Sequence, residues 1–376
     1  MARNDPFLQI SSHAISRLKH LSVKTTPDFF QEIVRHLFRP APLLEVLTIK
    51  ASYVDQNHIP ALAVELFDGD LSSLRELHLH FVRTELPWKN TSNLTSFSFS
   101  LASTSGPTIS VEHFLDFFES SPRLVKVQLS FATPIPGGQG TRLVGLARLR
   151  TLSISGFQPP YLFLNHLIVP IGANVSTKFN SPGPRIEDHL PRSLENLSFT
   201  KIRLRYEYFV ISVRFTGPNG QVSIASSSPR GDAERVVPRS LTRLDTSNTR
   251  CLKIVRGEFT AELHEALASL TNLHTLIISQ CRDTHEFLYG LYVSQNRSLA
   301  CPNLEELVFR GSGRFDMKSM VDIAAGRASA GAPLKSFKFI GFGEAVVEEQ
   351  VTNLQKHVKD VEFSAYTDDE DSDEEH

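Results

Sequence analysis

A six-residue phrase recurs along the chain: apolar, two variable positions, apolar, one variable position, apolar. It reads Leu18-Leu21-Val23, Leu44-Leu47-Ile49, Leu74-Leu77-Leu79, Leu94-Phe97-Phe99, Leu124-Val127-Leu129 and Leu149-Leu152-Ile154. It continues as Leu194-Leu197-Phe199, a degraded Leu241-Leu244-Thr246, Leu273-Leu276-Ile278, Leu304-Leu307-Phe309, Leu334-Phe337-Phe339 and Val358-Val361-Phe363. The last two apolar positions are two apart, so in a strand they share one face and their neighbours point to the other. Most copies lie roughly 20 to 32 residues apart, a spacing that signals stacked repeats. Longer gaps fall before and after the copy at Leu194.

Between the phrases the apolar period changes to that of a helix. Residues Pro27–Arg39 place Phe30, Ile33, Val34, Leu37 and Phe38 on one side,. Thr26 stands at the N-cap position and Pro27 at the first helical position. Further helices are predicted over Ile59–Phe67, Val111–Ser120, Ala261–Ser269, Thr284–Ser294, Met317–Arg327 and Glu344–Val358. Asp283 and Glu286 have capping-box spacing. Each unit is thus a strand, a turn, a helix and a return, and no unit buries its apolar face alone. Stacking predicts an α/β solenoid with a parallel sheet on one side and helices on the other. A closed parallel barrel is the competing architecture. Barrel strands are buried on both faces and read as near-continuous apolar runs, whereas these strands alternate.

The phrase, with Ser121-Pro122-Arg123-Leu124 and Cys301-Pro302-Asn303-Leu304 leading into it, resembles the leucine-rich-repeat (LRR) family. Its irregular lengths look like the LRR regions of fungal F-box proteins, and the resemblance covers about residues 15–366. It implies an irregular LRR horseshoe, with the parallel sheet concave and the helices convex. The chain departs from the family in two ways. Residues 1–14 are too few for an F-box, and the family's Asn or Cys five residues after the second leucine is matched only by Cys281. Thr26, Ser52, Val82 and Ala102 stand at equivalent places. The resemblance implies a protein–protein scaffold or substrate-recognition module related to ubiquitin-ligase receptors, with a Skp-type adaptor and cullin complex as partners. A truncated or degenerate F-box/LRR product is the alternative.

The repeat is interrupted at about residues 158–237. Gln158 to Pro191 carries little periodicity, with a divergent unit expected around Leu164–Val169. Tyr208–Phe215 and Gln221–Ala225 flank Thr216-Gly217-Pro218-Asn219-Gly220, a strong hairpin signal,. An enzyme site in this insertion is the third functional reading. The organisation expected is a cap or tail at 1–14, a solenoid at 15–366 and a disordered acidic tail at 367–376.

The variable positions of each phrase line the open face of the sheet. The charged and imidazole residues there are the candidate partner contacts: His20, Lys24, Lys50, His78, His80, Lys126, Arg243, Asp245, Glu306, Arg310 and Lys338. The first zone is basic and His-rich, the centre hydroxylic, and the last mixes charge with Ile277, Val308 and Ile340.

Composition changes this picture little. The chain has 376 residues, 41% hydrophobic and 21% charged, enough to build a continuous core,. Net charge is −2, yet seven acids sit in Asp368–Glu375, so the rest carries +5, well short of a nucleic-acid footprint,. Cys251, Cys281 and Cys301 are too sparse for a disulfide framework,. With neither a signal peptide nor a membrane-length apolar run, a cytoplasmic or nuclear monomer off the membrane is expected.

No cofactor or metal is expected. Glu76, His78 and His80 share one strand face, and two His at that spacing suit zinc, but no third ligand is evident beside the pair and a solvated His pair is the simpler reading,. Gly137-Gly138-Gln139-Gly140-Thr141 lacks the Lys of a phosphate-binding loop,. No nucleophile elbow or zinc-protease helix occurs.

Overall fold

The computed structural model describes residues 15–52, 61–62, 66–84, 90–101, 109–131, 141–156, 164–179, 194, 198–207, 210–218, 220–227, 241, 245–257, 261–281, 291, 299–311, 317–341 and 348–365. The chain divides into two compact units. One is Met1–Gly183 with Asp188–Glu195, the other Pro184–Glu187 with Asn196–His376. The division falls inside the interruption read from the sequence.

In the first unit the strands are β1 (His20–Thr25), β2 (Val46–Ala51), β3 (Glu76–His80), β4 (Ser96–Leu101), β5 (Lys126–Phe131), β6 (Thr151–Gly156) and β7 (Asn174–Phe179). They lie side by side in chain order and are all parallel. Their register is set by the phrase. Leu21, Leu47, Leu77, Phe97, Val127, Leu152 and Val175 form one row across the strands. Val23, Ile49, Leu79, Phe99, Leu129, Ile154 and Thr177 form the next, and both rows are buried. A one-residue slip would turn both rows to solvent, so burial fixes the register.

The first leucine of each phrase closes a tight turn before the strand. The amides of Leu44, Leu74, Leu94, Leu124 and Leu149 donate to the carbonyls of Ala41, Leu71, Thr91, Ser121 and Leu146. The residue just before that leucine stitches one turn to the preceding one. Asn93 Nδ2 donates to the Ser72 carbonyl at 2.6 Å, and Arg123 Nη1 to Asn93 Oδ1 at 2.8 Å.

Helix α1 spans Pro27–His36 and α2 spans Val111–Glu119. Phe114 and Phe117 of α2 pack on Phe97, Phe99 and Phe131, on the core side of the sheet. Ser110 caps α2 in a capping box completed by His113. Thr26 has N-cap backbone geometry before α1, but its side chain makes no capping bond. The helix expected over Ile59–Phe67 is corrected: Ala61–Leu62 pairs with Arg83–Thr84 as a short parallel ladder. Leu66–Gly69 is a kinked 3₁₀ turn with Phe67 and Asp68 at φ 56° and 55°. The Phe67 amide donates to the Leu37 carbonyl, which ties this turn to the C-terminal end of α1.

In the second unit an antiparallel meander precedes a parallel run. β8 (Lys201–Glu207) pairs with β9 (Val210–Gly217), and β9 with β10 (Gly220–Ser227). The β9–β10 pairing closes at Gly217↔Gly220, where the sequence signalled a hairpin. A Cβ at Gly217 would lie 2.5 Å from the Ser198 carbonyl oxygen, so glycine is required there,. On the other side of β8 follow β11 (Cys251–Val255), β12 (Thr275–Ser279), β13 (Glu306–Arg310), β14 (Ser336–Ile340) and β15 (Asp360–Ser364), all parallel. Helices α3 (Ala261–Ser269), α4 (Met317–Ser329) and α5 (Glu348–Gln355) connect them. Phe309, Phe339 and Phe363 stack face to face across β13–β15, with centroids 5.8 and 4.8 Å apart.

Two expected strands are displaced. The phrase at Leu194 is followed by a strand only from Lys201, and Leu241-Leu244-Thr246 gives way to β11 at Cys251. In both places the phrase falls ahead of the strand, and Leu252 and Ile254 take the core positions. Around Leu164–Val169 a short ladder joins Leu167–Ile168 to Val144–Gly145, and the full strand is the later β7. The helix expected over Thr284–Ser294, the Asp283/Glu286 box, the Gly137–Thr141 loop and the acidic tail fall largely or wholly outside the described residues. The architecture is mixed α/β with mostly parallel pairing, and the strand order in each unit is open rather than closed into a barrel. No described helix is long and apolar enough to cross a membrane.

Candidate partner-binding face

Alternation leaves every second strand residue on the face opposite the core. In the first unit this face has three rows. The first runs His20, Val46, Glu76, Ser96, Lys126, Thr151, Asn174. The second runs Ser22, Thr48, His78, Ser98, Gln128, Ser153, Ser176, and the third Lys24, Lys50, His80, Ser100, Ser130, Ser155, Lys178. The sequence-derived candidates His20, Lys24, Lys50, His78, His80 and Lys126 therefore lie on one surface. Lys178 belongs to it as well. The sequence reading missed it because Thr177 stands where an aliphatic residue would have marked a core position.

Polar contacts join neighbours on this face. His78 Nε2 lies 3.4 Å from Glu76 Oε2, and His80 Nδ1 lies 3.0 Å from Ser100 Oγ. Burial, with the adjacent His78 and Lys50 charges, holds His80 below the ordinary imidazole range. Among the described residues, no group of three or more His, Cys, Asp or Glu side chains is arranged to hold a metal.

The second unit's face differs. One row runs Lys201, Cys251, Thr275, Glu306, Ser336, Asp360 and the next Arg203, Lys253, Ile277, Val308, Lys338, Glu362. A third holds Arg205, Val255, Ser279, Arg310, Ile340 and Ser364. Arg214 of β9 sits opposite Arg203. Of the sequence-derived candidates, Glu306, Arg310 and Lys338 lie on this surface. Lys338 Nζ lies 2.8 Å from Glu306 Oε1, a pairing that raises the lysine's pKa, and Thr275 donates to the same carboxylate at 3.1 Å. Opposite charges thus meet here, and Val308 and Lys253 are buried. Arg203, Arg205 and Lys253 were not recognised in the sequence, because the displaced phrases misplaced β8 and β11, and Arg214 was not because β9 carries no copy of the phrase.

Asp245 is a correction. It lies outside any strand, in the turn before β11, where Oδ1 accepts from the Ser247 amide at 3.1 Å and from its hydroxyl. These bonds hold its carboxyl below the ordinary range and make it a turn former,. Arg243 lies outside the described residues. Cys281 is buried after β12 and Cys301 in the turn before β13, with thiols pushed up by burial to about 11 and about 12. Such thiols stay protonated and packed near neutral pH.

A scan against protein-family models finds no match for the chain, and no curated protein matches it.

Proposed function

We propose that the chain is a protein–protein interaction scaffold that binds through the open faces of its parallel strands, organised as an irregular leucine-rich-repeat solenoid. The observation that carries this reading is the in-register alternation of the first unit. Two buried apolar rows hold the strands, and three polar rows are presented opposite them. The resemblance to the LRR regions of F-box proteins extends the reading to substrate recognition for a ubiquitin ligase, with a Skp-type adaptor and cullin as the assembly.

Affinity capture from native extract, read by mass spectrometry, tests it. The full chain is compared with Lys24→Glu/Lys50→Glu and with Lys338→Glu. Partners lost on charge reversal of a face support the scaffold reading, and recovery of adaptor and cullin subunits supports the ligase reading. Capture unchanged by both variants would overturn face-mediated binding.

A further inference from the structure

We infer that the open face of the first unit takes an acidic peptide segment laid across the strands, anchored at the Lys24/Lys50 end and at Lys178. The inference rests on the scaffold reading and names its partner chemistry. Lys24 and Lys50 are exposed direct neighbours on adjacent parallel strands, and His80 continues their row. Like charges side by side on a sheet disfavour the fold, so the arrangement is one that an anion relieves. At the other end of that row stands exposed Lys178, and exposed Lys126 lies between the ends in the neighbouring row. Glu76 is the one acid on the three rows, and it faces His78.

Between the ends the third row is Ser100, Ser130 and Ser155, and the second adds Ser98, Gln128, Ser153 and Ser176. Small hydroxylic side chains let a backbone approach closely and offer hydrogen bonds to its amides and carbonyls. Lys50 and Lys178 are five strand spacings apart, roughly 24 Å, the length of about seven residues of extended chain. A short segment with acidic ends and a small polar centre matches this face. A nucleic acid matches it less well. The rows carry no Phe, Tyr or Trp for base stacking and no arginine, and their lysines are interspersed with hydroxyls rather than gathered in a stripe,. The second unit's face, with acids already set among its cations, fits such a peptide less well.

Fluorescence anisotropy with a fluorescein-labelled peptide Glu-Asp-Ser-Gly-Ser-Gly-Ser-Asp-Glu tests the inference on the full chain. Lys24→Glu/Lys50→Glu and Lys178→Glu are each expected to weaken binding by about ten-fold or more, and Lys356→Glu, at an exposed residue just after α5 and outside either face, to leave it unchanged,. Lys24, Lys50 and Lys178 are exposed, and circular dichroism verifies that the variants fold. No binding of the peptide, or binding by both first-unit variants as tight as by the unaltered chain, would overturn the inference. So would equally tight binding of a Gln/Asn version of the peptide or of a single-stranded oligonucleotide. Failure here with face-dependent capture intact removes only the acidic-peptide assignment, whereas capture indifferent to every face variant removes the scaffold reading too.

Discussion

Arg327 is among the largest fully buried side chains of the described residues, and it has a definite task. From α4 its guanidinium donates to the carbonyls of Ala300 at 2.9 Å and Cys301 at 2.8 Å, in the turn that leads into β13. Cys301 there adopts φ 48°, and its thiol donates to the Leu267 carbonyl at 3.1 Å, so the turn is tied to α3 as well. Burial pulls the guanidinium pKa down. Arg327→Ala removes the guanidinium from the Ala300 carbonyl and leaves the Cys301 carbonyl with the Leu304 amide alone, and it is expected to cost on the order of 2 kcal/mol in urea unfolding,. Arg327→Lys should recover little, because one ammonium cannot span both carbonyls in a fixed fork. An unchanged midpoint for either would remove this role. His80 gives a second expectation. Its pKa is lowered from 6.5 by burial first and then by His78 and Lys50, with Ser100 beside its ring and Glu76 on the far side of His78. A base whose folded pKa lies below its unfolded value contributes full stability above the unfolded pKa. That stability is lost as pH falls below about 6.5. The unfolding midpoint should therefore drop between neutral and mildly acidic pH, and His80→Asn should flatten that dependence. Identical pH profiles for the two proteins would dismiss it.

Helix α2 shows how an element is held from outside as well as from its core. Arg142 reaches three acids on successive turns: Asp116 and Glu119 at 2.6 Å and Glu112 at 3.7 Å. Its hydrogen bonds to Glu119 and Asp116 raise the guanidinium pKa still further. Without it the carboxylates are left as like charges at helical spacing. Arg142→Ala should lower stability by about 1 kcal/mol at low salt, less in high salt, because these groups are partly exposed. A salt-independent loss in thermal unfolding would point to packing instead. The helical period and the fixed phrase made α2, α3, α4 and most strands legible. What stayed hidden depended on contacts far along the chain. The apolar residues of Ile59–Phe67 suit a helix, but the Leu37 carbonyl captures Phe67 in a kinked turn. β7 uses Thr177 in its core row, so the leucine-based phrase passed over it. The phrases at Leu194 and Leu241 matched by composition, while the alternation that forms strands lies further on, in Ile202/Leu204 and Leu252/Ile254. Because the candidate face is defined only by strand register, each displaced strand misplaced its face residues, as at Asp245.

At the scale of the whole molecule, each unit buries its own apolar strand rows, to different effect. The first is parallel throughout and offers a face dominated by hydroxyls and lysine. The second begins with antiparallel strands and brings acids and cations together on its face. That antiparallel start has a consequence for how the molecule acquires its structure. Parallel neighbours must wait for a whole crossover to close, whereas β8, β9 and β10 are joined by links of very few residues and meet at little entropic cost. The meander is thus a local seed in the second unit, a template whose β8 edge is ready when β11 arrives. In pulse-labelled hydrogen exchange during refolding, amides of β8–β10 should gain protection before those of β12–β14, and the reverse order would show that the parallel run assembles without it.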